Sequence, residues 1–86
     1  MQSNSSFEHI SAFIKKELAG FLSLSADSIS IETPFDQFGI DSAKAILMVG
    51  KLEDLLDVEL PSTLLWDYNT IQSLAGHLNK NLSQYQ

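Results

Sequence analysis

Ser42, in the run Gly39-Ile40-Asp41-Ser42-Ala43, is the side chain whose type and setting come nearest to chemistry. A serine hydroxyl becomes a nucleophile only beside a positioned base, and the available bases are His9 and His77. Both fall on the solvent side or the boundary of amphipathic runs, which marks them as surface histidines. The run resembles the G-x-S-x-G nucleophile elbow only loosely, because the serine comes one place too late and no strand precedes it. Glu53, Asp54, Asp57 and Glu59 lack the D-x-[DN]-x-[DN]-G spacing of a calcium loop, so they read as a solvated acidic face. With no cysteine there is neither a disulfide framework nor a thiolate metal site. A glycine-rich phosphate loop and a basic aromatic patch are also missing. Two readings of Ser42 are left. It caps a helix, as serines commonly do. Alternatively, backbone N–H groups and the helix dipole favour an anion there, and its hydroxyl bears a phosphate ester added by another enzyme.

The elements that must position Ser42 follow from hydrophobic period. Ser6 can cap a run in which Ile10, Phe13, Ile14, Leu18, Phe21 and Leu22 recur at three and four, a helix of about 16 residues. Small polar residues near LSLSADS end it. Residues 25–40 lose the period and carry Thr33-Pro34 and Gly39, so they form a loop. Ile29, Ile31, Phe35, Phe38 and Ile40 should pin that loop to the core, with one helical turn near residues 26–29.

Asp41 or Ser42 then opens a helix reaching about Leu56 as N-cap or first-turn residue. Its apolar residues form two stripes at about 100° per residue. Ala45, Met48, Val49, Leu52, Leu55 and Leu56 should face the core, while Ala43, Ile46, Leu47 and Gly50 lie nearly opposite and stay at least partly exposed. Residues 57–61 form an extended connector ended by Pro61. Residues 62–68 suit a helix of one or two turns. Thr70 caps a last helix carrying Ile71, Leu74, Ala75 and Leu78. Three clear helices and one short one, without a strong strand, predict an all-α bundle. The polar ends, MQSNSS and NKNLSQYQ, are expected to fray.

Composition narrows the partners. The 86 residues suit one domain spanning 1–86, and 44% hydrophobic residues support a packed core. Five basic against eleven acidic side chains give a net charge of −6, which opposes nucleic acid and anionic membranes and favours basic partner surfaces. No apolar run approaches the roughly 20 residues of a membrane span, and MQSNSSFEH is not a secretion signal, so a cytoplasmic location is the default.

The stretch TPFDQFGIDSAKAI followed by LEDLLDVELPSTLLWDYNTIQSLAGHL resembles acyl carrier proteins, specifically the carrier domains of modular polyketide synthases. The resemblance covers about residues 7–80. It implies a four-helix bundle with a short third helix. It also implies a 4′-phosphopantetheine arm, derived from coenzyme A, on the serine of the G-[ILV]-D-S motif. That serine is Ser42, with Gly39, Ile40 and Asp41 completing the motif. The implied role is non-catalytic: a monomer holds acyl groups as thioesters on the arm and delivers them between enzymes of polyketide or specialised lipid assembly. The implied partners are a phosphopantetheinyl transferase, an acyl-loading acyltransferase or adenylating ligase, and a ketosynthase or other synthase enzymes.

Departures from the family pattern bear on those partners. Ala43 stands where leucine is frequent, and Asn69 where the D-Y-P-T form has proline. Lys44, Leu47, Gly50 and Lys51 replace the acidic outer face typical of fatty-acid-synthesis carriers. A mainly apolar docking patch of Ala43, Ile46, Leu47 and Gly50 is therefore expected, rimmed by Lys44, Lys51 and Asp54. Trp66 is expected in the core or as a cover over the second helix. A sheltered acyl chain would be lined by Ile46, Leu65, Trp66 and Ile71. A peptidyl carrier is the near alternative, although such carriers usually have G-G-[HD]-S, and a non-carrier helical interaction module is the third. The initial methionine and single domain lean towards a free-standing protein.

Overall fold

A computed structural model describes residues 5–85, with the side chains of Ser5, Ser6 and Ser83 outside the description. Four α-helices and three short 3-10 turns make up these residues, with no strand among them. The first helix, α1, spans Ser5–Leu22 and buries Ile10, Ile14 and Leu18, spaced at four so that one face meets the core. Ser6 lies within its first turn rather than before it, and its capping role falls outside the described side chains. The helix closes with Ser23 in the left-handed region (φ 55°) and the Leu24 N–H donating to the Ala19 carbonyl at 3.0 Å.

Residues 23–41 connect α1 to the second helix, and apolar anchors hold them in place. Ser25 caps a 3-10 turn at Ala26–Ser28, accepting from the Asp27 N–H at 3.2 Å. A second turn, Phe35–Phe38, is an element the loss of period hides, because three-residue windings leave no repeat to count. Ile29, Phe35 and Ile40 are buried, and Ile31 and Phe38 pack partly against the core. The backbone is also tied down: Phe35 N–H donates to the Asn69 carbonyl at 2.7 Å, and Gln72 N–H to the Ile31 carbonyl at 2.9 Å. The second bond satisfies a donor that the start of a helix otherwise leaves free.

The second helix, α2, spans Ser42–Leu56 and buries Ala45, Met48, Val49 and Leu52. Asp57 ends it in the left-handed region (φ 56°), and its N–H donates to the Glu53 carbonyl at 2.8 Å. Glu53 also reaches forward, its Oε2 accepting from the Leu60 N–H at 2.8 Å and stapling the connector to the helix. Val58 and Leu60 point into the core, and the short α3 follows at Leu64–Asp67. The last helix, α4, spans Ile71–Asn81 and begins with a reciprocal Thr70–Ser73 capping box. It packs most extensively against α1, while α2 lies against α3.

Two expectations change. Of the two places expected for Trp66, the core is ruled out: 45% of it is exposed, because the four-residue α3 uses Leu64 and Leu65 as its buried pair. Beyond residue 80 the chain does not simply trail off. A 3-10 turn, Leu82–Tyr85, returns towards α4, and the Tyr85 hydroxyl lies 2.6 Å from His77 Nε2. His77 also stacks on Tyr68 with ring centroids 4.0 Å apart. No helix among the described residues is long and apolar enough to cross a membrane.

Candidate functional site

Phe35 and Ile40, 0% and 4% exposed, are fixed points on either side of the turn that leads to Ser42. Between them, Gly39 closes the Phe35–Phe38 turn at φ 80°, ψ 22°, with its N–H donating to the Asp36 carbonyl at 3.1 Å. Asp41 follows in extended conformation and is the N-cap of α2. Its Oδ1 accepts from the Lys44 N–H at 2.9 Å, and its carbonyl accepts from the Ala45 N–H at 2.9 Å. Ser42 is the first helical residue and is exposed. The capping role open to either residue in the sequence therefore belongs to Asp41, and the Ser42 hydroxyl is left free of it.

Electrostatics at this end of α2 favour negative charge. The Lys44 N–H bond is the main cause holding the Asp41 carboxyl below its usual range; slight desolvation opposes it, and the Lys44 ammonium and neighbouring N–H groups add to it. The positive end of a 15-residue helix also suits an anion on the adjacent hydroxyl.

Neither histidine serves Ser42. His9 is exposed on α1, and His77 is engaged with Tyr85, Tyr68 and Asn81 on α4. Among the described residues no group of His, Cys, Asp and Glu side chains could hold a metal ion.

The outer face of α2 holds the residues expected for docking. Ile46 and Leu47 are 55% and 56% exposed, Ala43 is exposed, and Gly50 and Lys44 are half-buried. Lys51 leans towards α1, with its Nζ 3.6 Å from Glu17 Oε1, and with Asp54 it borders a shallow groove lined by Phe13 and Leu55. The four residues expected along an acyl chain divide. Ile46 and Trp66 are on the surface, whereas Leu65 and Ile71 have no exposed area and belong to the core.

Sequence patterning missed three features around this frame: the left-handed reversal at Gly39, the Glu53–Leu60 staple, and the His77–Tyr85 contact. Only the first had a local signal, a proline before and a glycine after the four residues Phe35–Phe38.

Comparison with known proteins fits this geometry. A family profile described as "Phosphopantetheine attachment site" matches residues 12–78. The chain belongs to that family. Its cofactor is covalently attached 4′-phosphopantetheine. The carrier chain is 34% identical over 79 residues to the polyketide synthase PksR of Bacillus subtilis, covering 92% of this chain but only 3% of PksR. It is 31% identical to an acyl carrier protein of Phytoplasma australiense, covering 81% of this chain and 93% of that protein. It also superimposes on a free-standing peptidyl carrier protein from Acinetobacter baumannii with a TM-score of 0.82 and 36% identity, covering 95% and 99% of the two chains. The all-helical architecture is that of acyl and peptidyl carrier proteins.

Proposed function

We propose that this chain is an acyl carrier protein whose Ser42 bears the 4′-phosphopantetheine arm. The observation that carries the reading is the exposed Ser42 hydroxyl in the first turn of α2, relieved of capping by Asp41. The residues present fit a phosphodiester: the hydroxyl is accessible, and it sits at the positive end of a 15-residue helix. When bound, the group supplies a thiol that holds an acyl cargo as a thioester.

The chain's own contribution is placement rather than catalysis. Asp41 caps α2, the stripe from Ala45 to Leu52 fixes the helix axis in the core, and Ser42 is held on the surface at its start. A tether from that point keeps cargo within reach of a docked enzyme, which raises its effective concentration without any new contact. Gly39 and Ile40 complete the approach to Ser42, one as the turn and the other as the anchor.

Partners follow from the surface beside Ser42. Ala43, Ile46, Leu47 and Gly50 offer an apolar patch that a transferase, a loading acyltransferase or adenylating ligase, or a ketosynthase would cover, with Lys44, Lys51 and Asp54 around it. The acyl role is preferred to the peptidyl one because Gly39-Ile40-Asp41-Ser42 departs from the G-G-[HD]-S of peptidyl carriers. The similarity to a free-standing peptidyl carrier keeps the second role as the alternative.

Intact mass before and after incubation with coenzyme A and a broad-specificity phosphopantetheinyl transferase tests the attachment. Wild type should gain one arm and Ser42→Ala none. An unchanged wild-type mass would remove both carrier roles, and a gain in Ser42→Ala would move the site. Supplying the loaded chain to acyl-activating and amino-acid-activating enzymes then separates acyl from peptidyl cargo.

A further inference from the structure

The approach to Ser42 contains one backbone reversal that a side chain would oppose. Gly39 has φ 80° and ψ 22°, a left-handed conformation that L-residues adopt at a cost. A Cβ added at this position finds nothing within 4 Å. The demand for glycine here therefore lies in the torsion angle and not in packing. The reversal sits between two anchored side chains, Phe35 at 0% and Ile40 at 4% exposure, whereas Gly39, Asp41 and Ser42 are exposed. Strain introduced at position 39 bears directly on Ile40, the buried residue that joins this turn to the Asp41 cap and Ser42.

We infer that Gly39 is a positioning residue for modification of Ser42: its left-handed turn aims the start of α2, so that the hydroxyl is presented to a transferase in one orientation. The inference rests on Ser42 being the attachment point. In that reaction a bond forms between Ser42 Oγ and the pantetheine-bearing phosphorus of coenzyme A. The pyrophosphate P–O bond of coenzyme A breaks, 3′,5′-ADP leaves, and the hydroxyl proton passes to a base of the transferase. In-line attack depends on the direction of Oγ, and a small misplacement costs rate.

Full-length chains made by chemical synthesis with Gly39→Ala in its L and D forms separate backbone conformation from side-chain bulk. D-alanine prefers the positive φ that L-alanine resists, yet both add one methyl group. Transfer kinetics are followed by intact mass at a temperature where circular dichroism shows every chain folded. The L form should lower kcat/KM roughly 5- to 30-fold, the population cost of a left-handed L-residue. The D form should stay within about twofold of wild type, since its preferred torsions match the turn. Amide exchange at Lys44, which reports the Asp41 cap, should quicken in the L form alone.

Gly39→Asn, which tolerates the left-handed region better than alanine, should fall between wild type and the L-alanine chain, and it carries the test if that chain does not fold. Wild-type kinetics in the L form, or equal slowing by both forms, would overturn the inference; equal slowing would assign the effect to the methyl group meeting the transferase. Failure of wild type to gain mass is a different result, which removes the attachment reading itself.

Discussion

Asp41 and Ser42 are adjacent and exposed, yet they have different tasks because only one side chain can turn back onto the first-turn N–H groups. Asp41 does so through the Lys44 N–H, and that bond is the main reason its carboxyl stays ionised to lower pH than usual. The sign of the pH dependence follows. A carboxyl whose folded-state value lies below its ordinary 3.8 stabilises the fold above that pH, and the contribution is lost as pH falls through the depressed value. Asp41→Ala should lower the melting temperature by a few degrees at neutral pH, and Asp41→Asn should keep most of the cap. Melts at neutral pH and below pH 3.8 check this: the gap between wild type and Asp41→Asn should narrow in acid. A constant gap would show that the carboxylate's charge is not what holds the cap. Gly39 acts at the same scale, through a torsion angle alone.

At the scale of elements, α2 is divided lengthwise by its own period. One side carries the buried Ala45, Met48, Val49 and Leu52, and the other carries Ile46 and Leu47 with more than half of each exposed. Exposed single leucines are ordinary, but two consecutive large apolar residues one turn on from Ser42, the proposed attachment point, suit the centre of an interface. Leu47→Glu adds charge where a partner would have to desolvate it, and removes little core contact. It should slow acyl loading at least tenfold while shifting the melting temperature by no more than about a degree or two, as surface substitutions do. Loading assays on the phosphopantetheinylated chain, paired with thermal melts, check both halves, and unchanged loading removes the docking role. Lys51 is expected to matter less, since it already pairs with Glu17 across α1 and exposed pairs contribute only about 0–1 kcal/mol.

Across the whole molecule, distant segments are held by a few specific bonds. The long connection after α1 is tied to the start of α4 through Ile31 and Phe35, so the approach to Ser42 and the α3–α4 junction share one frame. At the other end, Tyr85 closes the last turn onto His77, and burial, with Tyr68 and Asp67 nearby, pushes its phenol up from its usual value. Tyr85→Phe keeps the ring and removes the hydroxyl. It should cost about 0.5–1 kcal/mol, the worth of a partly exposed hydrogen bond. In a domain of this size that is a few degrees of melting temperature, readable by calorimetry. Modification of Ser42 should proceed at the wild-type rate, because Tyr85 borders the C-terminal end of α2, beside Glu53 and Asp54, whereas Ser42 begins that helix. An unaltered melting temperature would mean that the ring alone holds the turn.

Much of this was legible in the sequence because it depends on local repeat. The three-and-four spacing of Ile10, Ile14 and Leu18, the divided stripes of α2, and Thr70 ahead of Ile71 each predicted the element that formed. The motif around Ser42 was legible for the same reason, as four consecutive residues in one order. Tertiary structure decided what local pattern leaves open. It left Trp66 45% exposed once Leu64 and Leu65 had taken the buried face of a four-residue helix. It also spent Glu53 on the Leu60 N–H and His77 on Tyr85. A helix period records which residues share a face; which of them meets a partner depends on segments far apart in the chain, whose arrangement is set only when the core closes.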